Sequence, residues 1–228
     1  MNNKWYQIWG EGTRAIIGVE GIGKTMTAEM FKSKVLDLGG TTVHLHGKHD
    51  SYEEVLEEVV NNLNFKTSDN IAGLEQDFLN TLKEAEKGRI HVALIIDDCH
   101  LYEEEVIQQI HQFISTVKIV QSNVSLVLLG RNELKEKIKN IVNESNIRIL
   151  EPFDQEETQN YTLFKMAAQC YPQHTIDILV KHIDLIHSAS GGVPKYIDSI
   201  CEKIRGIIGQ NELKDITTEE IKQYLELD

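Results

Sequence analysis

The sequence predicts an α/β fold with a parallel five-stranded sheet, followed by a small domain made only of helices. Apolar, strand-like segments alternate with helical segments up to residue 150, and this alternation favours parallel strands joined by right-handed helical crossovers. Beyond Pro152 the pattern is helical only. A glycine-rich segment joins the first strand to the first helix, at the sheet edge where ligands of such folds bind. We therefore predict an α/β domain over residues 1–150 and a helical lid domain over residues 151–228.

The composition of the chain argues against some classes of protein. The formal net charge is −13, because 36 acidic side chains outnumber 23 Lys and Arg, and this disfavours a protein whose whole surface binds nucleic acid. No apolar run approaches the roughly 20 residues that span a bilayer, and the N-terminus does not have the pattern of a signal peptide. Cys99, Cys170 and Cys201 lie far apart without metal-ligand spacing, as expected of reduced thiols. We expect a cytoplasmic location, either free or held at a membrane through partners.

The central motif is Gly18-Val19-Glu20-Gly21-Ile22-Gly23-Lys24-Thr25, which matches the phosphate-binding pattern G-x-x-x-x-G-K-[ST] at each fixed position. It follows a strand that ends in Ala15–Ile17 and begins a helix over about Thr25–Leu38. Glycines let backbone N–H groups turn toward a phosphate, and the positive end of the helix faces the same anion. Lys24 is expected to reach the β- and γ-phosphates, and the Thr25 hydroxyl to ligate Mg²⁺. The motif predicts a P-loop NTPase; the alternative is a glycine-rich turn that binds nothing.

Residues around this motif complete the predicted nucleotide-binding set. Its members are Gly18, Gly21, Ile22, Gly23, Lys24, Thr25 and Met26. Met26 and Met30 of the following helix are predicted to be buried. Upstream, Trp5, Tyr6 and Trp9 could stack on an adenine base, but we favour the interpretation that they dock the N-terminal arm on the protein body.

A second strand and two further helices come next. The segment Thr41–His46 is β-branched and alternating, which is typical of a strand. His44 and His46 share one face of that strand. Since no third metal ligand is evident, we interpret them as polar strand residues. The next predicted helices are Ser51–Leu63 and Ser68–Glu86.

The third strand ends in two carboxylates. His91–Ile96 is almost entirely apolar, as expected of a central parallel strand, and Asp97 and Asp98 follow directly. A carboxylate at this tip, beside the phosphate loop, can hold the Mg²⁺ shell, and its neighbour can orient or deprotonate the attacking water. The alternative is a strand that ends in a solvated turn, where Asp is common. Along the chain, another strand lies between the phosphate loop and this strand. For that reason we favour the functional interpretation, in which Asp97 binds the metal and Asp98 positions the water.

Two more strands and the helical part complete the predicted order. Asn123–Gly130 is a strand with Arg131 and Asn132 at its tip, where polar side chains can face the γ-phosphate. Strand Ile147–Leu150 carries Arg148, either an arginine finger or a solvated charge on an edge strand. The remaining predicted helices are Glu103–Val117, Glu133–Val142, Asp154–Gln169, Thr175–His187, Pro194–Ile208 and Thr217–Leu225.

Five motifs together resemble one protein family. They are the phosphate loop and the segments Leu94–His100, Val127–Leu134, Leu150–Tyr161 and Ser190–Lys195. This ordered set is similar to the ExeA/GspA-type branch of the AAA+ ATPases, and within it to the ATPase regions of DamX-like cell-envelope proteins. The resemblance runs from about Thr13 to the C-terminus. It implies an AAA+-like fold, ATP as the nucleotide, Mg²⁺ as the cofactor and a homo-oligomer as the working form.

The resemblance also assigns roles to matched residues. Asp97 corresponds to the Walker B carboxylate, and Asp98 to the acidic residue beside it, which is often Glu. Arg131 lies in the sensor-1 region. Lys195 stands at the sensor-2 position, where the family has Arg, and Lys lacks the bidentate fork of Arg. Because Asp98 is short and Lys195 replaces Arg, we expect good ATP binding and slow hydrolysis. The implied catalytic residues are Lys24, Asp98, Arg131 and Lys195. The implied metal ligands are Thr25 and Asp97. Two further residues join the nucleotide-binding set, Pro194 and Lys195.

By resemblance, the chain is an ATPase module that drives or regulates assembly of bacterial envelope machinery, such as secretion, pilus or division systems, through a protein partner. ATP with Mg²⁺ is expected to bind between the α/β domain and the lid. One alternative is a transposition-type AAA+ regulator that acts on DNA, against which the acidic charge counts. A second is a weakly hydrolysing, STAND-like nucleotide switch. A scaffold with a vestigial loop is the third, and it predicts no nucleotide affinity.

Overall fold

The computed structural model describes residues 13–63, 68–121, 123–211 and 216–225 of the chain. Trp5, Tyr6 and Trp9, for which docking of an N-terminal arm was predicted, lie outside the described residues. The described residues form two compact units. One contains residues 13–19 and 24–150, and the other contains residues 20–23 together with those from 151 onward. The predicted division into two domains after residue 150 remains a prediction.

A parallel sheet of five strands forms the centre of the first unit, in the order β2-β3-β4-β1-β5. The strands are β1 Thr13–Ile17, β2 Thr41–Leu45, β3 Val92–Ile96, β4 Val124–Gly130 and β5 Ile147–Ile149. The predicted parallel five-stranded α/β fold is therefore confirmed. Because all strands run the same way, the carboxyl ends of β1, β3 and β4 meet at one edge of the sheet, where ligands of such sheets bind.

The helices described in the first unit cover both faces of this sheet. They are α1 Lys24–Asp37, α2 Tyr52–Asn62, α3 Ile71–Lys87, α4 Glu104–Val120 and α5 Leu134–Ile138. Two short 3₁₀ turns, Cys99–Leu101 and Glu144–Asn146, join strands to neighbouring segments. The start of α3 lies three residues after the predicted Ser68, because Asn70 caps the helix: its Oδ1 accepts a hydrogen bond from the Gly73 N–H at 2.9 Å.

Alternate residues of the strands face two separate cores, as the period of two of a β-strand requires. In β3, Leu94 and Ile96 pack into the core formed with α2, α3 and α4. Ile95, between them, packs into a second core on the opposite face. The buried residues that α1 contributes to that second core are Ala28, Phe31 and Val35.

The prediction that Met26 and Met30 are buried is wrong. Met26 is 70% exposed and Met30 is 68% exposed. The face of α1 that contacts the sheet carries Ala28, Phe31 and Val35. The two methionines are four residues apart and therefore lie together on a different face of the helix. Packing against the sheet therefore decides which face of α1 is buried, and the apolar character of Met26 and Met30 does not signal it.

The second unit is helical and has its own apolar core. Its described helices are α6 Gln155–Ala168, α7 Gln173–Lys181, α8 Ile183–Ser190, α9 Pro194–Asn211 and α10 Thr218–Leu225. Isoleucines dominate the core, among them Ile186, Ile197 and Ile204. A capping box starts α6, in which Asp154 and Glu157 each accept the backbone N–H of the other. No helix in the described ranges is long and apolar enough to cross a membrane.

The single helix predicted over Thr175–His187 is in fact two helices that meet at His182. His182 leaves helical geometry with φ −106° and ψ 22°, although neither Pro nor Gly marks the break. The ring is buried, and its Nε2 lies 2.9 Å from the Ile216 carbonyl oxygen. This contact with a segment more than thirty residues away fixes the break, so a local sequence pattern does not signal it.

The turn before α9 provides a stability prediction. Gly192 has a φ of 72°, and a Cβ added there would lie 2.0 Å from the Phe153 carbonyl oxygen. The same turn holds Phe153 through the bond from the Phe153 N–H to the Gly192 carbonyl oxygen at 2.9 Å. We expect Gly192→Ala to lower the free energy of unfolding by about 2–4 kcal/mol, from the left-handed conformation and from overpacking.

Gly206→Ala is the matched control for this prediction. Gly206 lies in helix α9, which follows that turn, and outside its own helical backbone a Cβ there would meet no atom of the described residues within 4 Å. Helix propensity then predicts a small gain of about 0.5–1 kcal/mol. Urea unfolding of both variants measures the difference; equal stability of the two variants would contradict the close approach at Gly192.

Candidate nucleotide-binding site

The phosphate loop connects β1 to α1 and holds the end of the Lys24 side chain at its first two residues. Gly21 and Gly23 have φ values of 79° and 105°, which glycine adopts without steric cost. Lys24 is 9% exposed, and its Nζ donates to the carbonyl oxygens of Gly18 and Val19, each at 2.9 Å. The ammonium therefore lies inside the curve of the loop, which is where a phosphate-binding Lys is needed.

Thr25 and Asp97, both predicted to bind a metal, are in direct contact. Thr25 Oγ1 donates a hydrogen bond to Asp97 Oδ2 at 2.8 Å. The other Asp97 oxygen, Oδ1, accepts the Asp98 N–H at 2.8 Å, and Asp97 is 4% exposed. Hydroxyl and carboxylate oxygens are the ligands that Mg²⁺ prefers. The donor set therefore fits Mg²⁺, and the fold has brought together two residues from the start of α1 and the end of β3.

Asp98 occupies an unusual backbone conformation directly after β3. Its φ of 54° and ψ of 25° are left-handed, which Asp tolerates better than most residues because its short side chain can hydrogen-bond locally. Strained backbone of this kind concentrates at functional sites. The conformation turns the chain abruptly into the 3₁₀ turn, so Asp98 does not continue the direction of the strand.

His100 lies among the charged residues of this edge and was not predicted as a site residue. Burial lowers the pKa of His100, and the charges of Asp98, Arg131 and Lys24 also act on its ring. Arg131 is exposed at the end of β4. The His100 Nδ1 atom is buried without a hydrogen-bond partner in the described part of the chain; its position two residues after Asp98 was the available sequence signal.

Lys195 contacts two loop residues of the second unit. It follows Pro194, which occupies the first position of α9, a position that suits the fixed φ of Pro. Lys195 Nζ pairs with Glu20 Oε1 at 2.9 Å, and the Lys195 N–H donates to the Gly21 carbonyl oxygen at 3.2 Å. The predicted sensor-2 residue is thus held beside the phosphate-loop residues Glu20 and Gly21.

His44 and His46 do have a third potential ligand near them, contrary to the sequence interpretation. Ligand atoms of His44, His46 and Asp97 all lie within 4.8 Å of one another. The two imidazole rings are adjacent, with centroids 3.9 Å apart. Burial and the neighbouring His46 lower the pKa of His44. The sequence does not signal Asp97 as a third ligand, because the pairing of β2 with β3, which brings Asp97 close, is not visible in a local pattern.

Cys99, the residue after Asp98, has the surroundings of a structural thiol. The thiol is buried, and burial raises its pKa far above the ordinary value for Cys, while its Sγ donates to the Ile96 carbonyl oxygen at 3.3 Å. A protonated, buried thiol is a poor nucleophile.

Sheet order, phosphate loop and strand-tip carboxylates together define a P-loop NTPase fold of the AAA+ type. The family described as an AAA domain matches residues 10–138, more than half of the chain. The chain belongs to this family. No curated protein matches it in sequence.

Solved structures support the same fold at low sequence identity. Cdc6p from Pyrobaculum aerophilum is 16% identical with a TM-score of 0.70, over 94% of this chain and 60% of that one. The RuvB Holliday junction branch migration motor from Thermotoga maritima is 15% identical with a TM-score of 0.65, over 98% and 64%. The Aeropyrum pernix ORC1 protein, solved in complex with DNA, is 13% identical with a TM-score of 0.61, over 94% and 59%. This chain thus spans about three fifths of the length of these proteins.

Proposed function

We propose that this chain binds ATP with Mg²⁺ and slowly hydrolyses the bond between the β- and γ-phosphates. The observation that carries the proposal is the 2.8 Å contact between Thr25 Oγ1 and Asp97 Oδ2. Thr25 ends the phosphate loop, and Asp97 follows strand β3. The contact therefore places two oxygen ligands from different elements side by side. Membership in the AAA domain family supports nucleotide binding by this pair and its loop.

Hydrolysis would depend on position and charge rather than on covalent chemistry. The Lys24 ammonium exchanges its two loop carbonyl partners for phosphate oxygens. Asp98 orients the attacking water and accepts its proton, and Arg131 stabilises charge that develops on the γ-phosphate. When bound by Thr25 and Asp97, Mg²⁺ neutralises charge on the β- and γ-phosphates.

Slow turnover follows from two residues. Asp98 has a shorter reach than Glu, and its left-handed backbone fixes where the carboxylate can be placed. Lys195 carries a single ammonium, which is paired with Glu20, and cannot make the two parallel hydrogen bonds of an Arg. Both features reduce the stabilisation of the transition state more than the binding of the nucleotide.

A homo-oligomer would complete the site with an arginine from a neighbouring copy. Arg148 is the candidate within this chain. It is exposed on β5, which is an edge strand of the sheet. A side chain at this place is accessible to a second copy, and turnover per protomer should then rise with protein concentration.

Removing the Thr25 hydroxyl should weaken the binding of Mg²⁺. Loss of a contact to a charged group costs about 1.5–3 kcal/mol, so Thr25→Ala should raise the Mg²⁺ concentration for half-maximal ATP turnover by about tenfold or more. Ser33→Ala, at an exposed position of the same helix, is the matched control. Turnover is measured across a Mg²⁺ titration; the same half-maximal concentration in both variants would remove Thr25 from the metal site.

For the client of the ATPase, we propose protein components of bacterial envelope machinery. The support is the resemblance of the five ordered motifs to ExeA/GspA-type ATPases, together with a net charge of −13 that suits a protein client better than DNA. This proposal concerns the pathway and stands apart from the ATPase proposal.

DNA is the second candidate client, and a specific observation favours it. Structures similar to this chain include ORC1 in complex with DNA and a Holliday junction branch migration motor. Fluorescence anisotropy with a labelled duplex separates the two clients, at about 50 mM salt and saturating ATP. Binding that weakens steeply with salt would favour DNA; no binding at this low salt would favour a protein client.

A further inference from the structure

A cluster of side chains that includes Asp97 lies at the ends of β2 and β3. His44 pairs with Ile95 and Leu45 with Ile96 in the parallel ladder, and the Asp97 N–H donates to the Leu45 carbonyl oxygen at 2.9 Å. Continuing this register by one residue places His46 opposite Asp97. Because alternate residues share a face of the sheet, His44, His46 and Asp97 point to the same side.

The distances among these three side chains are close to those of a metal site. Their ligand atoms lie within 4.8 Å of one another. Donors about 2.1 Å from one tetrahedral zinc ion lie about 3.4 Å apart, so the closure required is at most about 1.4 Å. His46 is exposed, and rotation of its side chain can supply that closure without moving the strand.

His44 makes a carboxylate contact of the kind that metal-binding histidines make. Its Nδ1 lies 3.2 Å from Glu29 Oε1, and its side chain is 4% exposed. Its second nitrogen, Nε2, is buried and has no hydrogen-bond partner among the described residues. Metal-binding His residues usually donate one ring N–H to a carboxylate, which fixes the tautomer and leaves the other nitrogen for the metal. Glu29 is placed to do this for His44.

We propose that His44, His46 and Asp97 bind a divalent cation of the Zn²⁺ class, with Glu29 positioning His44. Two imidazoles and one carboxylate suit Zn²⁺ and Co²⁺, whereas Mg²⁺ prefers oxygen ligands alone. The site is therefore chemically distinct from the Thr25–Asp97 oxygen pair, although both use Asp97. A cation bound by the two histidines draws the Asp97 carboxylate away from Thr25, so it inhibits nucleotide turnover; this second part rests on the proposed ATPase function.

The metal site is tested first without nucleotide, on untagged protein. Co²⁺ is the probe, because its visible absorption reports the ligand set, and Zn²⁺ displacement of bound Co²⁺ gives the zinc affinity. We expect one Co²⁺ per chain in the wild type and at least tenfold weaker binding in His46→Ala. His174→Ala, at an exposed position of the helical unit, is the matched control and should bind as the wild type does.

Two results would overturn the metal site. One is the absence of Co²⁺ absorption in the wild type, and the other is equal Co²⁺ affinity in wild type and His46→Ala. Far-UV circular dichroism of His46→Ala, which changes an exposed side chain, checks that lost binding does not reflect unfolding.

The inhibitory part is tested by adding Zn²⁺ to ATP turnover at fixed Mg²⁺, with each variant normalised to its own zinc-free rate. We expect the zinc concentration for half inhibition to be at least tenfold higher in His46→Ala than in wild type or His174→Ala. Equal inhibition of all three would overturn this part. Absence of turnover in every zinc-free sample would instead contradict the ATPase proposal, whereas the cobalt experiment would still decide the metal site.

Discussion

Lys24→Ala should abolish ATP turnover and weaken ATP binding by about 10- to 150-fold. The side chain is buried in the curve of the phosphate loop, where its ammonium has carbonyl partners at 2.9 Å. Alanine removes the positive charge that would otherwise meet the phosphates. Charge-assisted hydrogen bonds contribute about 1.5–3 kcal/mol each, which gives this range for the loss of one contact. Binding is measured with a fluorescent ATP analogue in the presence of Mg²⁺.

Lys34→Ala provides the control for net charge and for the helix. Lys34 is exposed in the last turn of the same helix α1, so the variant loses one positive charge without touching the loop. It should bind and hydrolyse ATP as the wild type does. If Lys24→Ala kept wild-type affinity, or if Lys34→Ala lost as much, the loop would not be the nucleotide site.

Asp98→Asn should preserve ATP binding and lower turnover by about 10²- to 10⁴-fold, the usual contribution of a general base. Asn has nearly the same shape as Asp and tolerates the left-handed backbone found at this position, so the fold is retained. The amide cannot accept the proton of the attacking water. Steady-state turnover and nucleotide affinity are measured on the same preparation.

Asp37→Asn is the matched control, at the exposed C-terminal end of α1. It removes one negative charge from the same unit and should leave turnover unchanged. A fall in ATP affinity as large as the fall in turnover would assign Asp98 to binding. Unchanged turnover in Asp98→Asn would exclude it as the base.

Local signals were sufficient for the sheet and the loop. The five strands are short apolar or alternating segments between polar or glycine-rich ones, so all five could be placed from the sequence, and the parallel arrangement followed from the helices between them. The phosphate loop carries its geometry in its own glycines, of which Gly21 and Gly23 have positive φ. Such features depend on residues close together in the chain.

Features that depend on distant residues could not be predicted. The break at His182 is fixed by the Ile216 carbonyl oxygen, and the exposure of Met26 follows from how α1 meets the sheet. The approach of Asp97 to His44 and His46 requires the register of β2 against β3. The left-handed conformation of Asp98 also had no signal, because Asp is common in turns of many kinds.

The decisive test of nucleotide hydrolysis is steady-state ATP turnover of the wild-type chain with Mg²⁺, measured over a hundredfold range of protein concentration beside Lys24→Ala. We expect slow turnover that depends on Mg²⁺, rises per protomer with concentration and is absent from Lys24→Ala. Turnover that is absent from the wild type at every concentration, or equal in the two proteins, would contradict it.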